Sequence, residues 1–170
     1  KVDGRTDEMA NDYVILGCTS PSVPGKSMDW LHSSVCLPFV LQMTLDNGLG
    51  PVSKMQAGPK TGDPRDFKTY EEFFEAFKKQ LECSVKAARL RGNLECKNAA
   101  ALIPNPFQSV LSPICFERGL DIIEGGTYPQ ITLDMSVGGI PNAADALAAI
   151  KKLVYEDKSV GMDRLIEACR

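Results

Sequence analysis

The strongest structural signal in the chain is an amphipathic helix that begins near residue 70. Thr69 is followed three residues later by Glu72, which is the capping-box pattern of a helix N-terminus. Behind this pair, apolar residues recur about every four positions, at Phe73, Phe77, Leu81, Val85 and Ala88. A helix with one apolar stripe must bury that stripe against other elements, so the chain is predicted to form a packed, helix-rich domain. We expect this helix to end near Gly92.

Weaker patterns of apolar spacing predict further helical stretches at residues 35–45, 98–102, 107–119, 142–154 and 162–169. The first of these is closed by Asn47-Gly48, a typical helix C-cap. The fourth is predicted to begin with Asn142 as its N-cap and to bury a stripe formed by Leu147, Ile150 and Val154.

Strands are predicted at two places. Residues 13–16 (Tyr-Val-Ile-Leu) form an apolar, β-favouring run that suits a strand buried on both faces, and residues 131–135 alternate between apolar and polar. Residues 19–27 are rich in Ser, Pro and Gly and indicate a loop. The predicted class is therefore α/β, helix-rich with a few short buried strands, and the alternation suits part of a larger barrel.

Composition and charge exclude several classes of function. Hydrophobic residues make up 44% of the chain and the net charge is −3, so no basic surface for nucleic acid is indicated. No apolar run reaches the roughly 18 residues of a membrane span. The six cysteines form no C-x-x-C pair and His32 is the only histidine, so the usual ligand spacing of zinc and iron–sulfur sites is missing. No metal site is predicted.

Cys18 is the candidate functional cysteine, because it follows a predicted strand directly and opens a loop. The alternative is that Cys18, like the other five cysteines, is a small buried residue. A Cys18–His32 pair acting as nucleophile and base is disfavoured, since nothing in the sequence marks an orienting acid or an oxyanion hole.

Several stretches, taken in order, carry a family resemblance. They are Gly-Cys-Thr-Ser-Pro at residues 17–21 with Pro-Gly-Lys at 24–26, then residues 41–48, 58–63, 67–80 and 119–126, and finally the helix at 142–154. Together they resemble the glycyl radical enzymes of the pyruvate formate-lyase type, whose members are several times longer. The family's Arg-Val-x-Gly-Tyr glycine motif does not occur in these 170 residues, and the first residue is Lys1 rather than Met.

The resemblance implies an internal fragment of a ten-stranded barrel. Residues 1–170 would form a partial pyruvate formate-lyase-like domain, with a cysteine loop at about 12–27 and without the C-terminal glycyl radical domain. The implied chemistry is that of a lyase. A glycyl radical, installed by an activating enzyme that uses S-adenosylmethionine and an iron–sulfur cluster, oxidises a cysteine to a thiyl radical. The cysteine that matches is Cys18.

The resemblance also implies the setting and the partners of the reaction. The thiyl radical abstracts hydrogen from a small organic substrate, and a C–C or C–heteroatom bond is then cleaved or formed, anaerobically and in the cytoplasm. The expected partners are that substrate, the activating enzyme, the remainder of the parent barrel and a second copy in a homodimer. No nucleic acid, no membrane and no cofactor bound to this segment is expected.

Two positions beside Cys18 discriminate between branches of the family. Gly17 stands where pyruvate formate-lyase itself carries a second cysteine, which disfavours acyl transfer. Ser20 stands where the dehydratases and arylacetate decarboxylases carry a glutamate, and serine cannot replace a carboxylate as proton donor. A hydrocarbon–fumarate addition enzyme, similar to alkyl- or benzylsuccinate synthases, is therefore an alternative. A non-catalytic structural remnant is a second alternative, which leaves several apolar faces without partners.

The resemblance adds further substrate-site candidates. Gly17, Thr19 and Ser20 would shape the cysteine loop, and His32 lies in a stretch similar to the Trp-His of decarboxylase-like members. Tyr128 lies one position before the family's tyrosine in a Gly-Gly-Thr-Tyr-Pro-Gln run where relatives read Gly-Gly-Ala-x-Tyr-Asn. The Gly-Gly pair on its own predicts a tight turn, and Asp121 is expected to be structural.

Overall fold

The computed structural model describes residues 6–16, 20–29, 32–127, 130–131 and 134–169. Its helices are α1 Asp7–Asn11, α2 Leu37–Leu45, α3 Tyr70–Leu102, α4 Pro106–Leu111, α5 Pro113–Arg118, α6 Ile140–Ile150 and α7 Met162–Ala168. Its strands are β1 Val14–Leu16, β2 Ser20–Ser22, β3 Met28–Asp29, β4 His32–Cys36, β5 Gln130–Ile131 and β6 Asp134–Gly138. The chain divides into two compact units, unit 1 (residues 1–33 and 89–135) and unit 2 (residues 34–88 and 136–170).

Helix α3 confirms the strongest sequence signal. The Glu72 backbone N–H donates to Thr69 Oγ1 at 3.3 Å, and the Thr69 backbone N–H donates to Glu72 Oε2 at 3.4 Å, so the capping box is formed. Phe73 and Phe77 are buried. The predicted end at Gly92 is wrong, because the helix continues to Leu102 and includes residues 98–102. One glycine costs a helix about 1 kcal/mol, which the strong helix formers around Gly92 offset.

Helix α2 ends as predicted and begins later than predicted. Its last turn closes with the Gly48 N–H donating to the Met43 carbonyl at 2.7 Å, while Asn47 takes a positive φ of 51°. These are the marks of a Schellman motif. Val35 is buried in β4 rather than in the helix, since Pro38 favours the first turn of a helix and β4 pairs with β6.

Helix α6 packs against α2 in unit 2 and corrects the predicted cap. Gly139, not Asn142, is its N-cap residue, and Pro141 occupies the first turn. Ala143 and Ile150 are buried, and Leu147 and Val154 are half-buried. Beyond Ile150 the chain continues as a π-helical segment, Lys151–Glu156, which brings Tyr155 against the rings of Tyr70 and Phe73.

Unit 1 contains the strand pairs β1–β2 and β3–β5. The predicted strand at 13–16 is present, but its expected burial on both faces is wrong, since Val14 is 46% exposed and Ile15 57% exposed in this chain. Part of the predicted 19–27 loop is strand β2, which pairs with β1. The single helix predicted at 107–119 is two helices, because Pro113 begins a new one after Ser112.

The described cysteines differ in environment. Cys115 is buried, as predicted, and Cys83 is half-buried. Cys36 and Cys169 are exposed, so the expectation that they are buried is wrong; each lies at the end of an element, where fewer neighbours cover it. Within the described ranges no helix is long and apolar enough to cross a bilayer, and the long helix α3 is largely polar.

Candidate functional site

Two paired strands flank the candidate cysteine. Strands β1 and β2 are antiparallel, with Val14 opposite Ser22, Ile15 opposite Pro21 and Leu16 opposite Ser20. The residues between Leu16 and Ser20 are Gly17, Cys18 and Thr19, and these three candidates lie outside the described residues. Their positions therefore stay predictions.

The chain after β2 is held by a compact turn. The Val23 backbone N–H donates to Ser27 Oγ at 2.6 Å, and the hydroxyl groups of Ser22 and Ser27 lie 3.0 Å apart. The Ser27 N–H donates to the Val23 carbonyl at 2.9 Å, and Val23 is buried. Lys26, at the outer edge of this turn, pairs with Glu8 at 3.1 Å. The downstream side of the cysteine loop is therefore fixed by local bonds.

Strand pairing brings the stretch after the cysteine loop beside the stretch after the Gly-Gly pair. Strands β3 and β5 are parallel, with Met28 opposite Gln130 and Asp29 opposite Ile131. Tyr128, two residues before Gln130, lies outside the described residues. Ser20 begins β2 and His32 begins β4, and their backbones are described. The side-chain positions of all these candidates stay predictions.

The Gly-Gly pair lies in a turn that Asp121 organises. Asp121 Oδ1 accepts the Ile123 N–H at 2.9 Å, and its Oδ2 accepts the Asn105 N–H at 2.7 Å and the Ser109 hydroxyl at 3.0 Å. The Ile122 N–H donates to Ser109 Oγ at 2.8 Å. These bonds join helix α4 to the π-helical turn Ile122–Gly126. Asp121 is therefore structural, as expected.

The turn itself needs both glycines. Gly125 has φ 96°, a conformation that side chains rarely adopt. A Cβ on Gly126 would lie 2.6 Å from the Leu120 carbonyl oxygen and 2.7 Å from Cys115 Sγ, so the backbone approaches buried Cys115 too closely for any side chain. The predicted tight turn is confirmed.

Sequence reasoning missed two residues at the end of the Gly-Gly turn. The Arg118 guanidinium donates from Nη1 to the carbonyls of Gly126 and Thr127, at 3.4 and 3.3 Å. Thr127 is 2% exposed, and its hydroxyl has no hydrogen-bond partner within the described residues. The sequence does carry a signal for Thr127, because a threonine stands there at the alanine position of the Gly-Gly motif.

A second ordered loop lies in unit 2, at residues 58–63. Gln80, fully buried on α3, donates from Nε2 to the Pro59 carbonyl at 2.7 Å and to Thr61 Oγ1 at 3.0 Å. The Gly62 N–H donates to Asn47 Oδ1 at 2.9 Å. The motif that carries part of the family resemblance is thus held by side chains from α3 and from the end of α2. Lys60 in this loop is exposed.

Burial and charge raise the pKa values of two tyrosines in unit 2. Desolvation, with a smaller contribution from the nearby Glu72 carboxylate, raises the pKa of Tyr155 to about 12. Desolvation and then Glu71 raise the pKa of Tyr70. Both tyrosines lie among phenylalanine rings, so this cluster is a packing feature of the unit. In the described part of the chain, no three His, Cys, Asp or Glu side chains converge on a potential metal site.

Comparison with known proteins finds one family throughout. The family described as pyruvate formate lyase-like matches residues 2–170. The chain is 39% identical, over 97% of its length, to trans-4-hydroxy-L-proline dehydratase of Clostridioides difficile, and 33% identical, over 98%, to isethionate sulfite-lyase of Oleidesulfovibrio alaskensis. It spans only 21% and 20% of these relatives, so it corresponds to about a fifth of each.

Solved structures of larger proteins contain a segment with the fold of this chain. A B12-independent glycerol dehydratase from Clostridium butyricum, bound to glycerol, superposes with a TM-score of 0.82 at 30% identity. A protein of 1,2-propanediol dehydration from Roseburia inulinivorans superposes with a TM-score of 0.78 at 35% identity. In each case 98% of this chain and 21% of the larger chain are matched.

Proposed function

The chain belongs to the pyruvate formate lyase-like family and is a segment of a glycyl radical enzyme, and on this premise we propose that Cys18 is the residue that carries the thiyl radical. The observation that carries the proposal is the family match across residues 2–170, and the position of Cys18 in the sequence, between the paired strands β1 and β2, supports it. The neighbouring Gly17, Thr19 and Ser20 shape the cysteine loop, and His32 and Tyr128 contact the substrate.

The proposed reaction begins with transfer of one hydrogen atom. The S–H bond of Cys18 forms as a substrate C–H bond breaks, and the unpaired electron moves to carbon. A proton on the oxygen or nitrogen that this carbon bears and the leaving group on its neighbour then depart, which leaves a double bond from carbon to that heteroatom and a radical on the neighbouring carbon. This product radical takes the hydrogen atom back from Cys18 and restores the thiyl radical. A rigid, water-excluding site favours each transfer.

The substrate class that we propose is a small hydroxylated or sulfonated compound. The relatives at 39% and 33% identity are named for the dehydration of hydroxyproline and for the release of sulfite from isethionate. Ser20 cannot protonate a departing hydroxyl, so the acid for a dehydration must come from another part of the full-length enzyme. A group that departs as a stable anion, such as sulfite, places less demand on that acid.

Hydrocarbon–fumarate addition is the second candidate, and Ser20 is the observation that favours it. Radical addition to a double bond releases no hydroxyl, and it therefore needs no acid beside Cys18. The two candidates are distinguished by supplying the activated full-length enzyme with trans-4-hydroxy-L-proline, with isethionate, or with toluene and fumarate, and by identifying the products. Consumption of fumarate with formation of a succinate adduct would replace elimination by addition.

The radical is stored on a glycine outside these 170 residues and is installed by an activating enzyme that uses S-adenosylmethionine and an iron–sulfur cluster. The enzyme acts as a homodimer in an anaerobic cytoplasm.

The test replaces Cys18 in the activated full-length enzyme. We expect Cys18→Ala to keep the glycyl radical signal in electron paramagnetic resonance and to lower turnover at least about 1,000-fold, since no other group can abstract the substrate hydrogen. Cys36→Ser, at an exposed cysteine, is the control and should turn over normally. Unchanged turnover of Cys18→Ala under strict anaerobiosis would remove Cys18 from the mechanism.

A further inference from the structure

Arg118, in the last turn of α5, bonds to the backbone at the end of the Gly-Gly turn. Its Nη1 donates to the carbonyl oxygens of Gly126 and Thr127, at 3.4 and 3.3 Å. A hydrogen bond from a charged donor is stronger than one between neutral groups. The guanidinium thus joins two successive peptide groups to α5, although Arg118 is exposed.

The Thr127 carbonyl is the last backbone group before Tyr128. It belongs to the same peptide group as the Tyr128 N–H, and the atoms of a peptide group, from one Cα to the next, lie in one plane. A donor that holds the carbonyl oxygen therefore also restricts the direction in which the chain leaves Thr127. The residue that follows, Tyr128, is the one for which a substrate contact is proposed above.

The chain on the other side of Tyr128 is restricted as well. Pro129 disfavours helical backbone for the residue before it, and its own φ is fixed near about −65° by its ring. From Gln130 onward the chain is paired, because β5 lies parallel to β3 with Gln130 opposite Met28. Strand pairing thus anchors the chain after Tyr128, and the guanidinium anchors it before.

The Gly-Gly turn itself does not depend on Arg118. Asp121 Oδ1 accepts the Ile123 N–H at 2.9 Å, and the Asp121 carbonyl accepts the Gly126 N–H at 2.9 Å. Gly126 is also packed so closely against buried Cys115 that no side chain fits there. These contacts hold the turn without the guanidinium, so a long bond from an exposed side chain adds little to its stability.

We propose that Arg118 is a positioning residue for the substrate site: by holding the two carbonyls at the end of the Gly-Gly turn, it directs the phenol hydroxyl of Tyr128 toward a polar group of the substrate. The inference rests on the proposed function, in which Tyr128 contacts the substrate. Arg118 touches no reacting atom and acts through the peptide group that it holds. A phenol hydroxyl suits a hydroxylated or sulfonated substrate, because it can donate a hydrogen bond to a hydroxyl or sulfonate oxygen.

The first test measures amide hydrogen exchange in the full-length enzyme without substrate. In Arg118→Met, which keeps an apolar stem and removes the donors, exchange in peptides covering residues 127–131 should be at least about 10-fold faster than in the unchanged enzyme. Arg118→Lys, which keeps a charged donor, should restore part of the protection. Arg164→Met, at an exposed arginine on α7, is the matched control and should exchange at the original rate. Equal exchange in Arg118→Met and the control means that Arg118 does not hold this segment.

The second test is a double-mutant cycle with Tyr128→Phe in the activated full-length enzyme, with trans-4-hydroxy-L-proline or isethionate as substrate. Arg118→Met should raise KM about 10-fold and change kcat less than about 2-fold, since a hydrogen bond to the bound substrate is lost both before and during the reaction. In the Tyr128→Phe background the same change should lower kcat/KM by less than about 2-fold further, because the contact through which Arg118 acts is already gone.

Three outcomes of these measurements overturn the inference. Effects of Arg118→Met and Tyr128→Phe that multiply in the double variant show that Arg118 acts independently of Tyr128. Unchanged KM and kcat in Tyr128→Phe show that its hydroxyl makes no substrate contact. A lower urea midpoint for Arg118→Met with unchanged KM assigns Arg118 to the stability of the turn alone. Each of these results leaves the role of Cys18 intact, since that role is tested separately by turnover of Cys18→Ala.

Discussion

Three buried polar atoms in the described residues have no hydrogen-bond partner there: Gln80 Oε1, Thr127 Oγ1 and Tyr155 OH. Such atoms are uncommon in folded proteins, and each calls for a physical reason. For Gln80 the reason is local, because its Nε2 already donates to two oxygens of the 58–63 loop and its Oε1 is turned toward Gly58. The Gln80 side-chain amide thus holds the 58–63 loop, and Gly58 lies close to its Oε1.

Gly58→Ala is expected to destabilise the protein strongly. A Cβ at this position would overlap Gln80 Oε1 and lie 2.7 Å from Met43 Cε, in a fully buried environment. Overpacking of this kind costs about 1–3 kcal/mol, and thermal unfolding would show it as a lower Tm. Gly161→Ala is the control, since nothing lies within 4 Å of its Cβ and its φ of −74° suits alanine. Equal Tm values for the two variants would contradict the packing described for Gln80.

Tyr155 makes stability sensitive to high pH. Its pKa is raised to about 12, chiefly by burial, whereas the tyrosine of the unfolded chain titrates near 10. Between these values the unfolded chain releases its proton first, so stability falls as the pH rises from about 10 to 12. We expect Tyr155→Phe to reduce this fall, measured by urea unfolding at pH 8 and pH 11. At pH 8 the variant should lose little stability, since the hydroxyl has no partner within the described residues. An identical pH dependence in both proteins would show that the hydroxyl is not desolvated.

At the scale of elements, hydrogen bonds of Asp121 connect α4 to the Gly-Gly turn. Helices α4 and α5 have six residues each, and helices this short are not stable alone. Their geometry depends on the bonds that Asp121 makes to Asn105, Ser109 and Ile123. Tyr128 follows this turn directly in the sequence. Loss of the Asp121 hydrogen bonds is therefore expected to weaken the proposed substrate contact of Tyr128.

Asp121→Asn is expected to destabilise unit 1 by about 2 kcal/mol, because an amide cannot accept all three hydrogen bonds and hydrogen bonds to charged groups contribute about 1.5–3 kcal/mol. Chemical denaturation with a probe in unit 1 would measure the change. Glu117→Gln, which removes a charge from exposed α5 surface, should alter stability by less than about 0.5 kcal/mol. A similar small effect for Asp121→Asn would mean that α4 is held mainly by apolar contacts.

At the scale of the whole molecule, the chain is a segment of a glycyl radical enzyme and spans about a fifth of its relatives' length. The candidate cysteine lies here, but the glycine motif of the family does not occur in the 170 residues. Within the described residues, each sheet of unit 1 contains two strands, and Val14 and Ile15 of β1 are exposed. Small, open sheets of this kind gain stability when other strands or helices cover them.

The 170-residue chain on its own is therefore expected to give no glycyl radical signal and no turnover after treatment with the activating enzyme. The full-length enzyme, treated in parallel, serves as the positive control. Electron paramagnetic resonance and product analysis under anaerobic conditions measure both properties. Turnover by the isolated chain would show that the reaction needs neither the glycine motif nor the rest of the barrel.

The sequence by itself determined the features that depend on neighbours a few positions away. The Thr69–Glu72 capping box, the Asn47-Gly48 cap and the Gly125-Gly126 turn all involve side chains or φ angles within one helical turn, and all three are present. The ordered motifs also identified the family, because they preserve a pattern spread over the whole chain.

Only the tertiary structure decided the features that join distant residues. The pairing of Met28 with Gln130 spans about a hundred positions, and no local pattern encodes it. Gly92 remains helical, and Gly139 rather than Asn142 caps α6. Ile15 is exposed although its strand was expected to be buried. At each of these positions the packing and strand pairing of the fold outweigh the preference of the local sequence. The hydrogen bond from Arg118 to the Thr127 carbonyl and the burial of Thr127 likewise depend on how the turn packs, so the sequence did not single out either residue.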